Sequence, residues 1–544
     1  MRRSRRELRQ TVAAAFGLSA CMVVHAQTVA PGELGNTLEP SPGLATPQSS
    51  EPAISAPQQP RVVPVLAPGE GTLVVQRFEF TGHALFSEQH LSAQLKDYLG
   101  RRVTLGELYE AADRIAAFYS ERGYTLATVN LPPQKVSDGV VLLQVSEGRV
   151  ASVQIEGAER YQPEHVRRYL GAFRPREIYR ADSLQQGLRA LSALPGLEAR
   201  ATIRPGAAPG DSDVLVSLDE RPIEGGLTLD NFGRESVGEI RLTASATLNN
   251  PLRVEDQLQL TGLVSEEALT RYGSVLYSVP LNYRGTRVRI GYSHAEFEID
   301  GSPVGGRSRN GELTVEHPLL LDARQRLMLS VGATRTLSNA DFSGLIFNQT
   351  SITLLRAGLA YTRTHDNAAV TQVGSSVSSN FDSLSIEDFA DGEVEGNQRL
   401  KWDLDVQHLM PLARSLQLYV RAAGTWSPDP LADTEKFSLG GPGSVRGFPS
   451  AEVRGDYGYF GSVSLQHLSA VSGVALRSRL FFDGGEAFSV DAPDAGSLSS
   501  AGLGFDITRN PLSLRVDWAY PLGSREASDG RDSGRLFGSL AASF

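Results

Sequence analysis

The chain has 544 residues, of which 41% are hydrophobic, 21% charged and 7% aromatic, and its net charge is −10. That balance excludes a generally basic nucleic-acid binder, so no nucleic-acid partner is expected. The single cysteine, Cys21, leaves no intrachain disulfide framework and no thiolate metal cluster. With 54 Gly and only 4 Met, the composition suits turns and strands better than packed helices. No apolar run long enough for a helical span follows the first residues, which leaves open a barrel, whose strands alternate apolar with lumen residues.

Arg2, Arg3, Arg5, Arg6 and Arg9 form a basic start, and Val12 to Val24 is mostly apolar or small. Val24-His25-Ala26 then offers a small-residue cleavage site, so residues 1–26 read as a signal peptide rather than an anchor. Two other addresses compete. Leu18-Ser19-Ala20-Cys21 resembles a lipidation site at Cys21, and Ser4-Arg5-Arg6-Glu7-Leu8 resembles a twin-arginine motif. Residues 27–72 hold nine of the 29 prolines, a density that opposes helices and sheet ladders, and read as an extended or disordered linker.

Two α/β units follow, 73–148 and 149–223. In the first, Leu73–Phe80 is a predicted strand and Glu88–Leu99 a helix. Thr104–Arg122 is a longer helix with Leu105, Leu108, Ala112, Ile115 and Phe118 on one stripe. Thr125–Leu131 and Gly139–Val145 are strands. The second repeats the β-α-α-β-β order with strand Val150–Ile155, helices Pro163–Leu170 and Ser183–Leu194, and strands Leu197–Ile203 and Val214–Leu218.

From 224 to 544 the chain alternates. Leu400, Trp402, Leu404 and Val406 interleave with Lys401, Asp403, Asp405 and Gln407; Leu512, Leu514, Val516 and Trp518 interleave with Ser513, Arg515 and Asp517. One apolar and one wet face result. A soluble sandwich has shorter strands than these runs of about 10–14 residues, the length a tilted membrane strand needs. We count sixteen, an even number as single-chain bacterial barrels require. Every second connection is short: Pro251–Glu255, Asn282–Arg284, Asp366–Asn367 and Arg509–Asn510. The others are often long: Ser338–Thr350, Asp382–Gly396, Ser427–Gly455 and Leu522–Ser533. The fold class expected is a membrane β-barrel of 16 antiparallel strands preceded by two α/β modules.

The longest loop, 427–455, holds Gly440-Gly441-Pro442-Gly443-Ser444-Val445-Arg446-Gly447-Phe448 between the eleventh and twelfth strands. It lacks the Gly-Lys-Ser/Thr ending of a phosphate loop, and its bland reading is a flexible surface loop. Two strands on, Phe481-Phe482-Asp483-Gly484-Gly485 puts Asp483 on the parity of Arg477 and Arg479, opposite Leu480 and Phe482. Asp483 should therefore face the lumen, where an ordinary wetted charge is the bland reading.

Together, Val445-Arg446-Gly447-Phe448 and Phe481-x-Asp483-x-Gly485 resemble the outer-membrane transporters of two-partner secretion, the TpsB group. That group belongs to the superfamily of the barrel-assembly proteins. Asp230-Asn231-x-Gly233 and Asn250-Pro251-Leu252 match at the first strand and first short turn. Gly123-Tyr124-x-x-Ala127, Leu131-Pro132-x-Gln134 and Val145-x-Glu147-Gly148 resemble the first periplasmic POTRA module. The resemblance spans residues 73–544 and implies that the 427–455 loop folds into the lumen, where Arg446 meets Asp483. Family members often begin with a pore-plugging helix. Here residues 27–72 are too Pro-rich for a long one, and only Glu33–Leu38 hints at helix.

The resemblance implies secretion of an unfolded partner exoprotein with a repetitive β-helix pattern (TpsA type), docked on the POTRA modules and passed through the barrel. The protein would sit in the outer-membrane bilayer, inserted by the barrel-assembly machinery, with its modules in the periplasm. The alternative is a barrel-assembly insertase of the same superfamily; the main assembly factor carries more modules than the two that fit here. A passive porin does not account for them. His294, His317, His365, His408 and His467 join no catalytic or metal-ligand pattern, so neither enzyme activity nor a cofactor is expected.

Overall fold

The computed structural model describes residues 54–55 and 72–544, apart from 172–176, 209, 323, 381–383, 389–391, 397–399, 491–495 and 532. The signal peptide with its Cys21 alternative, the Glu33–Leu38 region and most of the linker lie outside the described residues. Two compact units emerge: the α/β modules together with the turn 249–256, and the barrel.

The first module contains β1 (Arg77–Thr81), α1 (Glu88–Gln94), α2 (Leu105–Ser120), β2 (Thr128–Asn130) and β3 (Val140–Ser146). β3 is central, parallel to β1 and antiparallel to β2. α2 starts where Thr104 and Glu107 form a reciprocal capping box, satisfying two otherwise orphaned amides. Its stripe of Leu108, Ala111, Ala112, Ile115, Phe118 and Tyr119 is buried against Phe78, Phe80, Val141 and Leu143 of the sheet.

The second module repeats this with β4 (Arg149–Glu156), α3 (Pro163–Tyr169), α4 (Ala181–Ser192), β5 (Leu197–Pro205) and β6 (Asp211–Glu220). β6 is central, parallel to β4 and antiparallel to β5. Leu184, Leu188 and Leu191 of α4 bury onto that sheet. Among the described residues of the linker, one pair departs from expectation. Ile54–Ser55 pairs in parallel with Ala201–Thr202 on the outer side of β5. Neither residue is a proline, and the gap between Pro52 and Pro57 leaves just enough backbone donors for a two-residue ladder.

The barrel runs β7 (Ile223–Asp230), β8 (Arg241–Asn249), β9 (Gln257–Ser265), β10 (Thr270–Pro280), β11 (Arg287–Glu298), β12 (Val304–Leu321), β13 (Gln325–Phe342), β14 (Leu345–Thr364), β15 (Val370–Asn380), β16 (Leu400–Ala413), β17 (Leu416–Trp426), β18 (Tyr457–Val471), β19 (Val474–Phe488), β20 (Gly496–Arg509), β21 (Leu512–Leu522) and β22 (Arg535–Ser543). These sixteen pair in chain order and close through β7 and β22; a further hairpin, Leu384–Asp388 with Gly392–Gly396, continues β15 and β16 beyond the wall. The seam pairs Gly226–Asp230 with Ser543–Ser539. The side chain of Asn231 extends it, accepting from the Gly538 amide at 2.7 Å and donating to the Leu536 carbonyl at 2.9 Å.

The loop expected at Ser338–Thr350 is strand instead. β13 and β14 continue to a two-residue turn, Ser343-Gly344, with φ of 49° and 80°. Positive φ at both central residues matches the twist of the flanking strands, and the Ser, Thr, Asn and Gln residues around it tolerate a wet ladder. Strands accordingly range from 8 residues in β7 to 20 in β14, wider than the expected range.

Candidate functional site

The motif residues of the first module build its frame and its joint to the second. The Glu147 carboxylate accepts from the Ala84 and Leu85 amides at 2.7 and 2.8 Å and from the Tyr119 hydroxyl at 3.0 Å. The β1–α1 loop is thereby pinned to the end of β3. Burial first, and then the hydrogen bond to Glu147, push the Tyr119 phenol well above its usual range. Gln134 imitates a strand: its amide donates to the Leu142 carbonyl and its oxygen accepts from the Leu142 amide, both at 2.8 Å. Leu131 packs on the core, and the Pro132 carbonyl accepts a further bond from Gln134. The carbonyls of Gly123 and Gly148 accept from the Ala181 and Tyr179 amides, each at 2.9 Å, and Arg180 lies 5.6 Å from the Tyr124 ring. Gly123, Tyr124 and Gly148 thus join the two modules, while Leu131, Pro132, Gln134 and Glu147 brace the first.

The 427–455 loop leaves the end of β17 and turns inward. Its two limbs pair with each other, Phe437–Leu439 against Val453–Gly455. Leu439, Val445, Phe448 and Val453 form an apolar cluster with Phe460, Ala487 and Leu498 of the wall. Burying Phe448 completely contributes roughly 1.5–3 kcal/mol to holding the loop inside. Polar bonds then fix both limbs. Arg421, paired with Asp405 at 2.8 Å, donates to the Gly443 carbonyl at 3.0 Å. On the return limb, Arg234 donates to the Ser450 and Ala451 carbonyls at 3.2 Å, and Glu452 accepts from the Ser528 amide and hydroxyl at 2.9 and 2.6 Å.

At the loop's apex Arg446 meets Asp483. Nε donates to Oδ2 and Nη2 to Oδ1, both at 2.7 Å, a two-point bond, and the Arg446 amide adds a third donor at 3.2 Å. The Ser462 hydroxyl, on the adjacent strand, donates to Oδ1 at 2.7 Å. The guanidinium sits 3.4 Å from the Phe481 ring centroid, so the first Phe of Phe-x-Asp-x-Gly is the floor beneath the arginine. Asp483 has no solvent exposure, whereas its neighbour Phe482 on the opposite face is 52% exposed. Gly447 holds φ at 124°, and a Cβ there would stand 3.0 Å from that of Ser500. Gly485 lets the wall close over the loop, since a Cβ would lie 2.5 Å from the Tyr459 carbonyl. The structure therefore brings Val445, Arg446, Gly447, Phe448, Phe481, Asp483 and Gly485 into one site.

A second buried network escaped the sequence reading. Arg479 donates to Asp517 at 2.7 Å and to Asp506 at 2.6 Å, and Arg515 pairs with Asp517 at 2.8 Å. Their inward parity was readable, but which charges meet is set by strand register, because Arg479 and Asp517 both oppose Gly504. Nor do Glu452, Ser528 and Arg234 carry any pattern that pairs them. Among the described residues no group of three or more His, Cys, Asp or Glu side chains is arranged to hold a metal ion.

The chain matches the family model "Haemolysin secretion/activation protein ShlB/FhaC/HecB" over residues 210–507, and the model "POTRA domain, ShlB-type" over 73–148. It is 24% identical to the outer membrane transporter CdiB of Dickeya dadantii (strain 3937) over 479 residues, 82% of either chain. Among solved structures it resembles CdiB from Escherichia coli, with a TM-score of 0.65, 23% identity and coverage of 89% of this chain and 93% of that one. BamA from Haemophilus ducreyi lacking POTRA domains 1–3 gives a TM-score of 0.56 at 15% identity, covering 87% and 100%.

Proposed function

The chain belongs to the haemolysin secretion/activation protein family of ShlB, FhaC and HecB, and on that premise we propose how its parts divide the work of two-partner secretion. It is an outer-membrane transporter whose POTRA modules lie in the periplasm. In our reading the client is an exoprotein with a repetitive β-helix pattern that arrives unfolded. It docks in the periplasm on a module edge such as β2, the outer strand of the first sheet, where backbone pairing accepts an extended chain without demanding one sequence. It then passes through the barrel lumen, and folding outside makes retreat unfavourable. The barrel-assembly machinery inserts the transporter itself, and this reading assigns the chain no enzyme activity and no cofactor. The likeness to BamA is one of fold, and the family match favours secretion over barrel insertion.

The observation that carries the reading is the buried Arg446–Asp483 pair, on a loop that occupies the path a client must take. Removing one partner leaves a buried charge unpaired, at a local cost of about 3–5 kcal/mol. Arg446→Ala and Asp483→Ala should each cut secretion severely while the barrel still assembles. The double variant should be no worse than either single, because both act through one contact. Losses that multiply in the double variant would show that the residues work independently.

A further inference from the structure

The wall's outer surface near the rim where the chain enters the barrel is mostly apolar. Leu281, Leu319, Leu412, Val471, Leu512 and Phe544 are exposed there, as a surface in contact with lipid tails requires. His317, His467 and Arg509 interrupt the band singly, and one stretch gathers several polar groups. Arg363 of β14, Thr371 of β15 and His408 of β16 are direct cross-strand neighbours. They share the outward parity of the exposed Leu359, Val377 and Trp402. His365 follows at the end of β14, and the Thr371 hydroxyl lies 2.8 Å from its Nε2 and 2.9 Å from Nδ1 of His408. The two imidazole rings are 6.1 Å apart. The neighbouring acid, Asp366, is already paired with Arg324, and Gln325 is taken by the Tyr361 hydroxyl. Arg363 is exposed and has no hydrogen-bond or ion-pair partner among the described residues. His365 Nδ1 and His408 Nε2 likewise have none.

We propose that Arg363, His365, Thr371 and His408 form a site on the lipid-facing wall for the phosphate of an anionic phospholipid in the periplasmic leaflet. The inference rests on the barrel lying in the outer membrane. Polar groups at lipid depth must find partners, and water is scarce there. A guanidinium presents a planar fork of donors that matches a phosphate oxyanion; the Thr371 hydroxyl gives its single proton to one of the two rings, and the outer nitrogen of that ring supplies a further donor. A headgroup drawn into this notch satisfies all of them and fixes the depth at which the β14–β15 turn sits. Acyl chains fit the apolar wall on either side.

The test is native mass spectrometry of the full-length protein, released from detergent carrying phosphatidylglycerol or diacylglycerol with the same acyl chains. The wild type should retain phosphatidylglycerol and not diacylglycerol. Arg363→Gln should lower retention about tenfold, the loss expected of one charge-assisted bond. His365→Asn with His408→Asn should lower it about threefold, and it keeps the test decisive should Arg363→Gln fail to assemble. Millimolar inorganic phosphate should leave the bound lipid in place. Equal retention of the two lipids, retention unchanged in both variants, or displacement by inorganic phosphate would overturn the proposal.

Discussion

Arg479 and Asp517 face each other across Gly504, and the glycine's missing side chain is what lets them meet. A Cβ at 504 would stand 2.0 Å from Asp517 Oδ1 and 2.3 Å from Arg479 Nε, while one at Gly502 would lie 2.4 Å from the Phe481 ring. These two glycines therefore make room for the buried charge network and for the floor beneath Arg446. Gly504→Ala should destabilise the barrel by about 1–3 kcal/mol through overpacking, read as a lower temperature at which the folded barrel loses its compact mobility on a gel. Unchanged heat resistance would mean that the network can move aside. Position by position, the sequence disclosed the Arg446–Asp483 pair because both residues sit in recognisable motifs. Arg479 and Asp517 stand in none, and only the register of three strands brings them together.

Elements were legible in proportion to their periodicity. The stripe on α2 and the alternation of β16 and β21 announce a helix and two strands, and local patterns located them within a few residues. The β13–β14 hairpin reads as a loop in the sequence because its polar outer half lacks the apolar face that marks a membrane strand. Backbone pairing needs no such face, and a Ser-Gly turn was enough to close it. Within the first module, Gln134→Ala should cost about 1–3 kcal/mol, since both backbone groups of Leu142 lose their partner, and a thermal melt of the periplasmic unit measures it. Tyr119 supplies a pH dependence. Its folded-state pKa is raised above 10.0, so its stabilising contribution is complete below pH 10.0, where the unfolded phenol also keeps its proton. The contribution is lost as pH climbs from there toward the folded value. Denaturation followed between neutral and strongly alkaline pH should show the wild type losing stability more steeply than Tyr119→Phe; parallel curves would remove Tyr119 from the account.

On the scale of the whole molecule, the modules receive the client and the barrel conducts it, and each part can be removed separately. Deleting residues 73–148 should abolish secretion while the barrel still inserts, because this module has its own core and sheet. Undiminished delivery by the truncated protein would end the docking role. The central claim is that the client travels inside the barrel rather than along its outer wall. Strand parity allows a direct measurement, because adjacent residues on one strand face opposite sides. A photoreactive residue is placed in turn at Tyr419 and Asp405, which face the lumen, and at Val420 and Leu404, which face lipid. Each variant is irradiated while a client is stalled in transit. The account predicts client adducts at 419 and 405 and none at 420 and 404; adducts at the lipid-facing positions alone, or equally on both faces, would contradict it.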